Sequence, residues 1–134
     1  MRALSIRQPY AELILRGIKT AELRSRSTSI VGERFYIYAA KTKAKRPIWS
    51  EDLRVAPPGS PPAWLIELAE QVKMIEPELL RGALLPTGVI VGSAVIERVS
   101  QADAVYRWHL CDVERAKKLR KPRGHPQPVW FKPF

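Results

Sequence analysis

A short amphipathic segment that opens on a proline, closes on a glycine and runs straight into alternating charges constrains this chain more than any other feature. Tyr10, Leu13, Ile14, Gly17 and Ile18 recur at i, i+3, i+4, i+7 and i+8, so they line one buried face of a helix near Pro9–Gly17. Pro9 suits a first helical turn, where its missing N–H has no partner in any case. Gly17 can take the left-handed conformation that ends a helix. Lys19 then emerges just past the helix, and Thr20, Glu22 and Arg24 alternate onto one side of a strand over Thr20–Arg24. With Ala3–Ile6 reading as a strand before the helix, charge is delivered to a junction between elements, where a polar ligand can meet it.

The rest of the chain reads as strands with one further helical stretch. Ser25–Gly32 is a Ser/Thr/Gly loop, and Arg34–Ala40 is a strand with both faces occupied. The basic stretch Lys41–Arg46 follows, then Pro47 opens a short segment containing Trp49. The proline-rich stretch 57–62 is too short to separate two domains and reads as an inserted loop within a single domain, 1–134. Ala63–Met74 has helical spacing, with Trp64, Leu65, Leu68 and Val72 on one side, and Glu76–Leu80 adds a turn or two. Pro86-Thr87-Gly88 is a turn. Val89–Val99, Val105–Asp112 and Val129–Phe131 are the remaining strands, the first of them central. Short strands with an early and a mid-chain helix fit an α+β fold, of which a small barrel with outer helices is one form.

Gly17-x-Lys19-x-x-Glu22-x-Arg24, preceded by Ser5-Ile6-Arg7-Gln8-Pro9-Tyr10-Ala11, resembles the signature of the ASCH domain (activating signal cointegrator homology), of the PUA-like superfamily. The resemblance continues through Arg26, Gly32, Phe35–Ala40 and Lys41, returns in Pro86–Gly92, and ends at Gly124 through Trp130. It implies a PUA-like β-barrel of about five to six strands with flanking helices. It also implies a cleft beside that barrel, along which Lys19, Glu22 and Arg24 lie, and RNA as the usual class of ligand.

Composition narrows the function classes. In a chain of 134 residues, 46% are apolar, enough for a core. No apolar run approaches the ~20 residues of a membrane span, and the N-terminus does not read as a signal peptide. The single cysteine, Cys111, has no neighbours at metal spacing, and His109 and His125 are too far apart to form a motif. The expectation is a cytoplasmic protein, monomeric, without metal, cofactor or membrane partner. The net charge is +10, gathered at the two ends: residues 1–56 hold 12 Lys/Arg against 5 Asp/Glu, and residues 115–134 hold 7 against none. Two basic ends around an acidic middle point to one positive surface, which attracts phosphates.

The candidate nucleic-acid-binding residues follow. Lys19 and Arg24 can contact phosphate or a base edge, and Glu22 can orient them or accept from a base amine; a structural ion pair is the alternative. Arg7 and Gln8 flank the start of the helix, while Tyr10 heads the apolar stripe and reads as core. Lys41, Lys43 and Lys45 share one side of an extended segment. Lys117, Lys118, Arg120, Lys121 and Arg123, together with Arg115, form the densest basic run, read as partly mobile and suited to phosphate. Trp130 beside it can stack on a base. An enzyme is the alternative function: a metal-independent ribonuclease using Lys19 and Glu22 as an acid/base pair, or an N4-acylcytidine amidohydrolase. In the ASCH branch that resembles the latter, a threonine proposed as nucleophile stands where this chain has Glu22, and Glu97, Asp103 and Asp112 are candidate acids by charge only.

Overall fold

The computed structural model describes residues 1–42, 63–80, 84–102 and 105–134. In chain order these form β1 (Ala3–Ile6), α1 (Tyr10–Leu15), β2 (Ala21–Arg24), β3 (Arg34–Ala39), α2 (Ala63–Leu80), β4 (Val89–Ala102), β5 (Val105–Arg120) and β6 (Trp130–Phe131). The six strands make one sheet in the order β2-β5-β4-β3-β1-β6. All neighbouring pairs are antiparallel except β1 with β3.

Alternation in β1 and β3 sets two apolar layers. Leu4, Ile6, Phe35 and Ile37 turn to the main core with Ile14 of α1 and Val91, Ile96, Trp108 and Leu110 of the long strands. Ala3 and Tyr38 turn the other way, onto Ile90 and Phe131. Leu13 on α1 meets Val72 and Ile75, which docks α2 on α1. Tyr10 is half-buried and packs against both the main core and this helix pair. α1 also lies close on the sheet: a methyl group at Gly92 would sit 2.6 Å from Leu15 Cδ2 and collide with the Glu114 carbonyl.

Three expectations are corrected. α2 is one helix, continuous through the exposed Pro77 rather than broken near Met74. β5 does not stop at Asp112. It runs to Arg120, so part of the basic run belongs to a strand, held by its ladder to β4 from Ile90↔Arg120 to Ala102↔Val105. That ladder is irregular. Asp112 takes φ 48° at one register shift, and Arg115 to Arg120 lie opposite only Gly92 to Ile90, so the intervening residues bulge.

The third correction concerns the barrel: the hydrogen-bonded sheet is open, with β2 and β6 as its edges. β6 occupies the free edge of β1, pairing Leu4 with Trp130, so β2 has no edge of β1 to join. Side chains span the gap instead. Arg24 of β2 donates from Nη2 to the Ser5 carbonyl of β1 at 2.7 Å. Trp108 of β5 stacks on Trp130 of β6, with ring centres 5.9 Å apart and planes 3° from parallel. The sheet curls far enough for its two ends to meet through side chains, and remains α+β in class.

Candidate functional site

Gly17, at φ +74°, turns the chain off α1. The Leu13 carbonyl then accepts from both Ile18 N and Lys19 N, at 3.0 and 3.1 Å. This sharp turn points the Lys19 side chain inward, where it is 4% exposed. Its Nζ donates to the Ala21 carbonyl and to Glu22 Oε1 at 3.2 Å. Arg24 grips the other carboxylate oxygen, Nε at 3.1 Å and Nη2 at 2.8 Å. Lys19, Glu22 and Arg24 are thus brought together as one triad in which a single buried carboxylate holds two cations.

The triad's electrostatics follow from that count. Burial pushes the Glu22 carboxyl upward, but Lys19 and Arg24 together outweigh it and hold the group below its ordinary value. Burial lowers the Lys19 ammonium, and Glu22 offsets this only in part, with Arg24 adding repulsion. Lys19 and Glu22 bond each other in a dry setting. The geometry is that of a buried ion pair.

Beyond Lys19 lies a hollow open to solvent, where the start of β2, the first half of β5 and α2 meet. Lys19, Thr20, Trp64, Glu67, Gln71, Arg107 and His109 line it, whereas Glu22 and Arg24 do not. Arg107 Nη2 donates to Glu67 Oε2 at 3.2 Å. His109 Nε2 lies 2.7 Å from Ser100 Oγ, and burial, with Arg98 and Arg107 nearby, holds its imidazole below the ordinary value. Of these residues, the sequence reading had placed only Lys19 in a cleft. Arg107 and His109 are two apart on β5, and Trp64, Glu67 and Gln71 recur at i, i+3 and i+7 on α2, so both signals were present. Their mixed polarity resembles neither a core stripe nor a basic patch.

The remaining candidates fall elsewhere. Gln8 is 2% exposed. Its Nε2 donates to the Pro86 carbonyl and its Oε1 accepts from Glu12 N, both at 3.0 Å, so it fastens the start of α1. Trp130 is half-buried, with one face on Trp108 and an edge contact to Phe35 at 5.3 Å. Arg115 is bound to Glu12. Arg120 lies over Phe134 at 4.2 Å and Tyr36 at 5.6 Å, and donates to Tyr36 Oη. Lys43, Lys45, Arg46 and Trp49 lie outside the described residues.

Register brings the other cations together. Ile6 pairs with Ala39, Ala39 with Val89, and Ile90 with Arg120. Arg7, Lys41 and Lys121 therefore follow strand ends at one end of the sheet, with Lys117 and Lys118 on the adjoining bulge of β5. All five are exposed, as is Arg123. Among the described ion pairs, none engages these six residues.

The chain matches the ASCH domain family over residues 4–127 and belongs to it. No curated protein sequence matches the chain significantly. Among the described residues, no group of three or more His, Cys, Asp or Glu could hold a metal ion, and no helix is long and apolar enough to cross a membrane.

Proposed function

We propose that this ASCH domain binds nucleic acid, RNA before DNA, through the basic end of its sheet. The observation that carries this reading is the convergence of Arg7, Lys41, Lys117, Lys118 and Lys121, from three separate stretches of sequence, on one exposed end where no described acid neutralises them. Such a cluster binds phosphates by displacing condensed counterions from the nucleic acid, a gain that falls as salt rises. The cations of the Gly17–Arg24 motif take a different part. Arg24 reaches across from β2 to the Ser5 carbonyl of β1, and Glu22 holds Lys19 at the wall of the hollow, which receives a nucleotide base while the basic end holds the backbone.

The test is a salt-titrated binding assay with matched single- and double-stranded RNA and DNA, the end products run on a denaturing gel. Intact strands bound more weakly by Lys41→Ala and Lys121→Ala are the expected result. Cleaved strands would instead make the protein a nuclease, and no binding at low salt would sink both readings.

A further inference from the structure

The hollow beside Lys19 has walls of opposite charge. β5 contributes Arg107, the turn before β2 contributes Lys19, and α2 brings the Glu67 carboxylate to the same hollow. Left alone, an arginine fork beside a buried lysine is a site for a phosphate dianion. Here Glu67 Oε2 already accepts from Arg107 Nη2 at 3.2 Å, and the charge of Glu67 also acts on Lys19. Lys19 is further neutralised by Glu22 at 3.2 Å. The Glu67 and Arg107 side chains are 53% and 26% exposed, so the pair sits at the mouth of the hollow rather than in the core. A pair this exposed adds little to stability, so where its charge lies matters more than how strongly it holds. One helical turn before Glu67, Trp64 brings an indole ring to the same hollow, and one turn after it Gln71 brings a neutral amide.

We propose that Glu67 is a built-in anion that screens phosphate out of this pocket and reserves it for an uncharged ring. Specificity of this kind comes from repelling the wrong group as much as from attracting the right one. A nucleic acid carries phosphates and rings side by side, and the screen makes them settle apart, phosphates on the basic end and a ring against Trp64. The inference rests on the nucleic-acid reading for the source of both groups. The screen itself is a property of the pocket and is tested without nucleic acid.

The experiment titrates inorganic phosphate, and separately the uncharged nucleosides adenosine and cytidine, into the full chain. It follows the amide signal of Thr20, the indole N–H of Trp64 and the side-chain amide of Gln71 by NMR. In the wild type, a nucleoside is expected to shift these signals while millimolar phosphate leaves them in place. In Glu67→Gln, phosphate should shift them saturably, with apparent affinity raised about tenfold, since like charges in contact are strongly repelled. Glu67→Gln/Arg107→Gln should lose that gain, with an unchanged melting temperature showing that all variants fold. Equal phosphate binding by wild type and Glu67→Gln would overturn the screen, and nucleosides that move none of the three signals would overturn the reservation for a ring. If Glu67→Gln gains phosphate while the wild type binds neither RNA nor DNA, the nucleic-acid reading fails and the screen stands. If RNA binds and Glu67→Gln gains nothing, the screen fails alone.

Discussion

Arg115 of β5 holds both carboxylate oxygens of Glu12 on α1, Nη1 to Oε1 at 2.9 Å and Nη2 to Oε2 at 3.0 Å. Arg16 closes on the same Oε2 at 2.7 Å and reaches on to Glu78 of α2 at 2.7 and 3.1 Å. A helix of six residues is too short to hold itself in water, and this chain of ion pairs ties α1 to the sheet on one side and to α2 on the other. Replacing Glu12 by Ala removes three charge-assisted bonds at once and is expected to cost about 2–4 kcal/mol. Arg115→Ala leaves Glu12 paired with Arg16, and Arg115 is half-exposed, so about 1 kcal/mol is expected. Urea unfolding of the two variants should give that order.

The acid limb of stability follows from two carboxylates. Burial raises both Glu12 and Glu22, but Arg115 and Arg16 in the first case, and Lys19 and Arg24 in the second, outweigh it and leave both below the ordinary value of 4.5. A group whose folded value is depressed lends stability that is complete above its unfolded value and is lost as pH falls through the folded one. The urea midpoint should therefore hold steady from neutral pH down to about pH 5 and decline below that. Glu22→Gln should start from a lower midpoint and show a shallower decline.

Within the triad, the order of damage is predicted by which charge is left alone. Glu22→Ala leaves the Lys19 ammonium buried with only the Ala21 carbonyl as a described partner, and losing the counter-ion of a buried charge costs about 3–5 kcal/mol. Lys19→Ala leaves Glu22 held twice by Arg24 and should cost less. Glu22→Ala should also loosen the hold of Arg24 on Ser5, reported by the fluorescence of the neighbouring Trp108 and Trp130 stack. Equal losses in Lys19→Ala and Glu22→Ala would show that the triad is more hydrated than its burial implies.

The start of the chain was legible because its signals are local. The apolar Leu13 and Ile14, the stop at Gly17 and the alternation around Phe35 each depend on neighbours within a few residues and lie where expected, although the helix ends at Leu15, so the exposed Gly17 and the half-buried Ile18 fall outside it. The extension of β5 was not, because residues 114–120 are mostly exposed and show no apolar alternation. Their strand is held by the backbone ladder to β4, a non-local cause. The open sheet had the same kind of origin: whether β2 or β6 reaches β1 depends on where the last two-residue strand lands. The hollow was missed for a related reason, since Glu67 and Arg107 lie forty residues apart and each alone looks like a solvated charge.

Gly92 lies against Leu15 of α1, and its substitution separates crowding from backbone strain. A Cβ there would meet the Leu15 side chain and the Glu114 carbonyl. Leu15 can rotate away, but the carbonyl is held in the β4–β5 ladder, where Ser93 pairs with Glu114. Gly92→Ala is expected to cost about 1–3 kcal/mol, the usual range for overpacking a filled site. Gly17→Ala, where a Cβ meets open space but φ is +74°, should cost roughly 1 kcal/mol through backbone strain alone. Chemical denaturation of both variants checks the difference.

Individual cations should differ in how they enter the salt dependence of nucleic-acid binding. Each lysine that neutralises a phosphate contributes about one to the slope of log affinity against log salt, and its removal weakens binding to all sequences alike. Lys41→Ala, Lys118→Ala and Lys121→Ala should each lower the slope by about one. Arg115→Gln should leave it unchanged, because that guanidinium is engaged by Glu12. Arg120→Gln should likewise change it little, because Arg120 is stacked over Phe134 and Tyr36. A slope that fell equally for all five would mean that the bulge of β5 rearranges on binding and releases Arg115 and Arg120 to the phosphates. Fluorescence anisotropy with a labelled single-stranded RNA, repeated across a series of salt concentrations, distinguishes the two patterns.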